Sequence, residues 1–160
     1  MRVPSTRFIA LEVDEDAVLT FPDGLIGLPG TTYTLVAHEE GSPFHWLHSL
    51  EDPDVAVPVT SPWIFFGDYE VRLTDDEAAR VGLAEAADAE VMCVVRAAPE
   101  LSDFTINLAG PIVVHSAKRL CRQIVNDTAG YSVRHPLFSE VELSDAGPAV
   151  PAVPVTAVAI

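Results

Sequence analysis

Apolar residues recur with a period of two along most of the chain and rarely with a helical period. Ile9, Leu11 and Val13 alternate with Ala10, Glu12 and Asp14, which reads as a half-buried strand. Short runs rich in β-branched and aromatic side chains follow at 18–21, 33–36, 44–47, 55–59, 69–73, 91–95, 104–108, 112–115 and 120–125. Turn chemistry separates many of them: Pro22-Asp23-Gly24, Leu28-Pro29-Gly30, Gly41-Ser42-Pro43, Ser61-Pro62 and Gly110-Pro111. Parallel pairs need long crossovers, so many short strands with tight connections predict an antiparallel, mainly β, barrel-like single domain. One segment departs from the pattern. Thr74 and Glu77 have capping-box spacing, acids fill the first turn, and Ala78, Val81 and Leu83 follow as a narrow apolar stripe. These features predict one short helix at about 75–87. The expected core is Phe8, Phe21, Leu25, Trp46, Leu47, Ile106, Leu108, Ile112, Val114 and Ile124.

The C-terminal stretch changes character. From Ala146 to Ile160 the chain is rich in Pro, Ala and Val and has no charge, and Pro148, Pro151 and Pro154 oppose regular pairing. The expected organisation is therefore a domain over 1–145 and an unpaired tail over 146–160. With 160 residues, of which 49% are hydrophobic, the chain has the size and composition of one folded domain. No apolar run approaches the ~18 residues of a membrane span, and the N-terminus shows no apolar leader. Two cysteines, Cys93 and Cys121, are too few for a disulfide framework and read as reduced thiols in a cytoplasmic protein.

Charge narrows the function classes. The formal net charge is −15, and 20 of the 24 acids, against 5 of the 9 basic residues, lie at or before Asp103. The acids cluster at Asp14-Glu15-Asp16, Glu39-Glu40, Glu51-Asp52-Pro53-Asp54 and Asp75-Asp76-Glu77. Such a field repels phosphates, which argues against direct nucleic-acid binding and against an anionic membrane surface. It favours a basic protein partner.

Candidate chemistry is thin. His45 and His48 stand three apart in a predicted strand, so their rings point to opposite faces and cannot share a metal ion. Cys121 with His115, or Ser102 and Ser116 with a histidine, lie in no nucleophile-elbow or cysteine-protease motif. The Gly24–Gly30 segment is Gly-spaced but filled with apolar residues, and no capped helix follows it to cradle a phosphate. No cofactor is expected. In Thr105–Val114, Asn107 before Gly110-Pro111 predicts a sharp turn with a side-chain hydrogen bond, and in Arg122-Gln123-Ile124-Val125 a glutamine alternates into a strand.

These pieces in this order resemble the flagellar assembly factor FliW family. The resemblance rests on Phe21-Pro22-Asp23-Gly24-Leu25-Ile26-Gly27-Leu28-Pro29-Gly30 and on Pro43-Phe44-His45-Trp46-Leu47-His48-Ser49-Leu50-Glu51-Asp52-Pro53. It continues through Ser61-Pro62 with Tyr69, Thr105 to Val113, Arg122 to Val125, and Tyr131-Ser132-Val133-Arg134-His135-Pro136-Leu137. Coverage runs from about Phe8 to Phe138. Departures include Leu28 for the family's Phe, His48 for Gln, Gly110 for Ala, His115 for Asn and Arg122 for Gly. The resemblance implies a β-rich protein without enzymatic activity that binds the translational repressor CsrA and flagellin, relieving repression of flagellin translation. The protein is expected to be a monomer when free. Ile26, Leu28 and Phe138 are the expected apolar anchors, and Glu51, Asp52 and Asp54 the expected acidic contacts. The alternative is a small-ligand-binding or enzymatic β-barrel with a pocket that no motif announces.

Overall fold

The computed structural model describes residues 1–126 and 130–138 and the backbone of a strand at 158–159. In chain order the strands are β1 (Arg2–Val3), β2 (Leu11–Glu12), β3 (Leu19–Thr20), β4 (Thr32–Ala37), β5 (Phe44–Ser49) and β6 (Ala56–Thr60). Then come β7 (Val71–Arg72), α1 (Asp75–Arg80), β8 (Ala89–Arg96), β9 (Thr105–Ile106), β10 (Ile112–His115), β11 (Cys121–Gln123), β12 (His135–Pro136) and β13 (Val158–Ala159). Each of the nine apolar runs picked out after residue 17 contains a strand.

The main sheet runs β11-β10-β8-β6-β5-β4-β3, with β9 on β8 and β12 on β9, and every one of these pairs is antiparallel. It is not closed into the expected barrel. Its two edges meet at an isolated bridge between Thr20 and Leu120, where the Thr20 N–H donates to the Arg119 carbonyl at 2.9 Å. The contact between the edges stops at that single bridge.

The eight-residue β8 is covered on both faces, which is why its sequence is a near-continuous apolar run rather than an alternation. Val91, Cys93 and Val95 pack into one core with Trp63, Tyr69, Ile106, Leu108 and Ile124. Met92 faces the other core, with Leu19, Phe21, Tyr33, Leu47, Ile112 and Val114. Of the expected core residues, Phe8 and Trp46 are only half-buried. Trp46 and Leu47 are neighbours on β5 and so point to opposite faces. Leu47 takes the inner face, while Trp46 lies on the outer one beneath the Arg7 guanidinium, 4.1 Å from the ring centroid. Phe8 joins a small third cluster with Val3, Leu11 and Val13. Ile9 is fully exposed, so the predicted strand begins only at Leu11.

The helix is shorter than expected. Thr74 caps it, its Oγ1 accepting from the Glu77 N–H at 3.1 Å. Gly82 ends it at φ +69°. There the Gly82 N–H donates to Ala79 O and the Leu83 N–H to Ala78 O, the paired bonds of a Schellman stop. The 145/146 boundary and most of the tail lie outside the described residues. Within the tail, β13 pairs in parallel with β7, Val158 opposite Val71, a pairing that its prolines and the all-antiparallel expectation did not suggest.

Candidate partner-binding site

The connection from β3 to β4 is fastened along its whole length. Phe21 N–H donates to Thr31 O at 2.7 Å and Gly24 N–H to Phe21 O at 2.8 Å. The Tyr33 hydroxyl donates to Pro29 O, and burial first, then the Glu51 and Asp52 carboxylates, raise that phenol's pKa. At the far end, Glu51 Oε2 accepts from Thr31 N–H at 2.6 Å, Thr32 N–H at 3.0 Å and Thr32 Oγ1 at 3.1 Å. Those backbone bonds hold its carboxyl below the ordinary range. Gly30 permits this approach: it sits at φ +80°, and a Cβ there would stand 2.5 Å from Glu51 Oε2.

Gln123 ties this loop to a second one. Its Oε1 accepts from Ile26 N–H at 3.0 Å and its Nε2 donates to Gly110 O at 2.9 Å. The predicted Asn107 turn is present, with Oδ1 accepting from Gly110 N–H at 2.8 Å. Three motifs far apart in sequence are thus one unit, and they border an open concavity of about 260 Å³. Leu28, Val57 and Val94 are half-buried in it, whereas Ile26 (73% exposed) and Val133 (60%) stand at its rim. Arg96 and Arg134, both exposed, complete the lining, and no acid joins them. The register that pairs Val59 with Val94 would set Val57 opposite Arg96, but the β6–β8 ladder stops before them. Pro58, which has no N–H to donate, occupies the next rung. The concavity lies where that ladder ends. A second concavity, about 200 Å³, includes Leu19, Val59 and Met92 and carries Glu90 and Arg119, so its charges cancel.

The six partner-contact residues expected from the sequence do not form one patch. Ile26 and Leu28 line the first concavity. Glu51 anchors the loop beside it, and Asp52 Oδ1 accepts from Asp54 N–H at 2.9 Å within the β5–β6 turn. Phe138 is half-buried in an aromatic row, its centroid 5.7 Å from both Phe65 and Phe104. Arg96, Arg134 and Val133 were not singled out from the sequence. The available signal was that two of only nine cations lie in or beside otherwise apolar segments.

The groups with the most shifted proton affinity are elsewhere. Burial pushes the Cys93 and Cys121 thiols up to about 12 and raises Tyr69, whose hydroxyl donates to Leu108 O at 2.7 Å. Cys121 and His115 share no hydrogen bond; His115 Nδ1 instead accepts from Lys118 N–H at 3.1 Å. His45 is exposed and His48 buried, as opposite strand faces require. His48 Nδ1 lies 2.6 Å from Ser49 O, which can only accept, so Nδ1 carries a proton, and Nε2 meets Ser5 Oγ at 2.7 Å. No cluster of three metal-ligating side chains occurs among the described residues.

The family model described as FliW protein matches residues 2–137. A flagellar assembly factor FliW of Desulfitobacterium hafniense (strain Y51) is 36% identical over 146 residues, covering 91% of this chain and 96% of the relative. One of Geotalea uraniireducens (strain Rf4) is 35% identical over 147 residues, covering 92% and 90%. A crystal structure of the flagellar assembly factor FliW superposes with a TM-score of 0.80 at 26% identity, covering 88% of this chain and 99% of that one. The open antiparallel sheet, the Gln123-centred loop pair and these likenesses lead to one assignment: the chain belongs to the FliW family.

Proposed function

We propose that this protein acts in flagellar assembly as a non-enzymatic, cytoplasmic regulator, monomeric when free. It binds a CsrA-type translational repressor through its exposed carboxylates and flagellin as a second partner, relieving repression of flagellin translation. Family membership supports the assembly role. The observation that carries the binding mode is the set of exposed acids with no tie to the rest of the fold. Asp14, Glu15, Asp16, Glu39 and Glu40 are all exposed, and among the described residues no hydrogen bond or ion pair engages their side chains. None of the shifted thiols and phenols lines either concavity, which favours binding by surface over chemistry in a pocket.

The deciding measurement is the dissociation constant for the cognate CsrA at about 50 mM and about 500 mM salt. Roughly ten-fold weaker binding at high salt, carried mostly by a slower on-rate, is expected. Affinity that is flat in salt would remove the electrostatic recruitment. Failure of flagellin to bind, or to compete with CsrA, would remove the second partner.

A further inference from the structure

We propose that the concavity between the Ile26 loop and the Arg96–Arg134 side is a docking groove for an extended protein segment. That segment carries apolar side chains interspersed with carboxylates. The lining runs against the composition of the chain. There are 24 acids and only 9 Lys and Arg residues, yet two arginines and no acid border this one surface. Four of the other cations are ion-paired: Arg2 with Glu12, Arg72 with Glu70, Arg80 with Asp76 and Arg122 with Asp23. Among the described residues, the Arg96 and Arg134 side chains have no such partner. They sit on β8 and immediately before β12, on either side of β9. Thr105 sets Arg96 level with Pro136, so Arg134 lies two strand spacings across and two residues along, about 12 Å away. An extended chain rises about 3.3 Å per residue, so carboxylates about three to four residues apart can meet both.

The apolar half of the recognition is equally specific. Ile26 is held in an exposed position by the bond between its own N–H and Gln123, not by packing of its side chain. With Val133 across the concavity and Leu28, Val57 and Val94 beneath, it leaves an apolar trough fixed before any partner arrives. Arginine forks pair with carboxylates bidentately, and a preformed trough lowers the ordering cost of docking. The overall negative charge does not prevent this. Interactions between exposed charges decay over about 8 Å at physiological ionic strength, so the two local guanidinium groups outweigh distant loops at contact. A nucleic acid is the poorer occupant, because a polyanion must lie along an acidic surface while two arginines offset only two of its phosphates.

The test uses the full chain and three labelled nonapeptides of one apolar pattern. In the first, glutamate fills the polar positions; in the others, glutamine or lysine does. Fluorescence anisotropy should show the glutamate peptide binding at least about ten-fold more tightly than either analogue. The double variant Arg96→Glu/Arg134→Glu should invert the preference between the glutamate and lysine peptides. Ile26→Asn should weaken the glutamate peptide without changing the preference. All three substituted residues are exposed, so an unchanged thermal midpoint serves as the folding control. Equal binding of the three peptides, or an unchanged preference in the folded double variant, would overturn the proposal. So would an oligouridylate that displaces the glutamate peptide and binds more tightly than it. The groove is separate from the free carboxylate loops, and no CsrA enters the assay, so its failure is distinguishable from failure of the CsrA reading.

Discussion

Asp14-Glu15-Asp16 and Glu51-Asp52-Pro53-Asp54 are indistinguishable as text: three carboxylates in a short loop beside a strand. In three dimensions they do opposite work. Glu51 accepts three hydrogen bonds from Thr31 and Thr32, and Asp52 closes its own turn by accepting from Asp54 N–H. Asp14 begins a 3-10 turn at Glu15–Ala17 but its side chain makes no cap bond, and its two acidic neighbours are equally free. The difference comes from what lies nearby. The Thr31 and Thr32 N–H groups, at the entry to β4, both donate to the Glu51 carboxylate. Among the described residues, no hydrogen bond or ion pair engages the side chains at 14–16. A charge cluster is therefore available to a partner only where the backbone has not already claimed it.

Gly30→Ala should break the comparison most severely. The new Cβ would meet Glu51 Oε2 at 2.5 Å and would occupy a left-handed backbone conformation, at φ +80°. The expected loss is about 1–3 kcal/mol in urea or thermal unfolding. If the steric conflict with Glu51 is real, the loss should shrink in a Glu51→Ala background, a non-additivity that a double-mutant cycle reads directly. Additive losses would mean that backbone strain alone is responsible.

The next effect is smaller and depends on pH. Backbone hydrogen bonds lower the Glu51 carboxyl from its ordinary value of 4.5. A depressed folded-state value contributes stability that is present above the unfolded value and lost as pH falls through the folded one. Glu51→Gln keeps an oxygen acceptor but no charge. Wild type should therefore be the more stable of the two at neutral pH, with the difference narrowing as pH drops below 4.5. Denaturant midpoints measured across that range would show it, and a difference independent of pH would deny the carboxylate its role.

The strands were legible because burial shapes the apolar pattern: Leu11 and Val13 alternate about an exposed Glu12, whereas Ile112–His115, covered on both faces, reads as a continuous run. Asn107 and Gln123 were legible as residues of unusual specificity, since each stands where an apolar or turn residue would do unless a hydrogen bond were needed. Three things were hidden. Closure of a barrel depends on ladder length at its edges, and nothing in Leu19–Thr20 or Cys121–Gln123 announces that their contact stops at one bridge. The helix looked longer because Leu83 continues the apolar stripe, although Gly82 had already turned the chain. The juxtaposition of the groove arginines was hidden because Arg96 and Arg134 lie 38 positions apart in sequence and come to one surface only through the β8–β9–β12 ladder.

The mildest change sharpens the comparison from its other side. The triple variant Asp14→Asn/Glu15→Gln/Asp16→Asn removes three free charges and no hydrogen bond that the fold uses. Its thermal midpoint should match wild type, because exposed side chains without partners contribute little to stability. Its association rate with CsrA should fall by roughly two- to five-fold at low salt and converge with wild type at high salt, since steering by the protein's field is screened. Stopped-flow kinetics at two ionic strengths separates the two effects. A stability loss would show that these carboxylates are structural after all, like Glu51. An unchanged association rate together with wild-type stability would count against recruitment through this loop, and the same neutralisation at Glu39 and Glu40 would then test the proposed recruitment further.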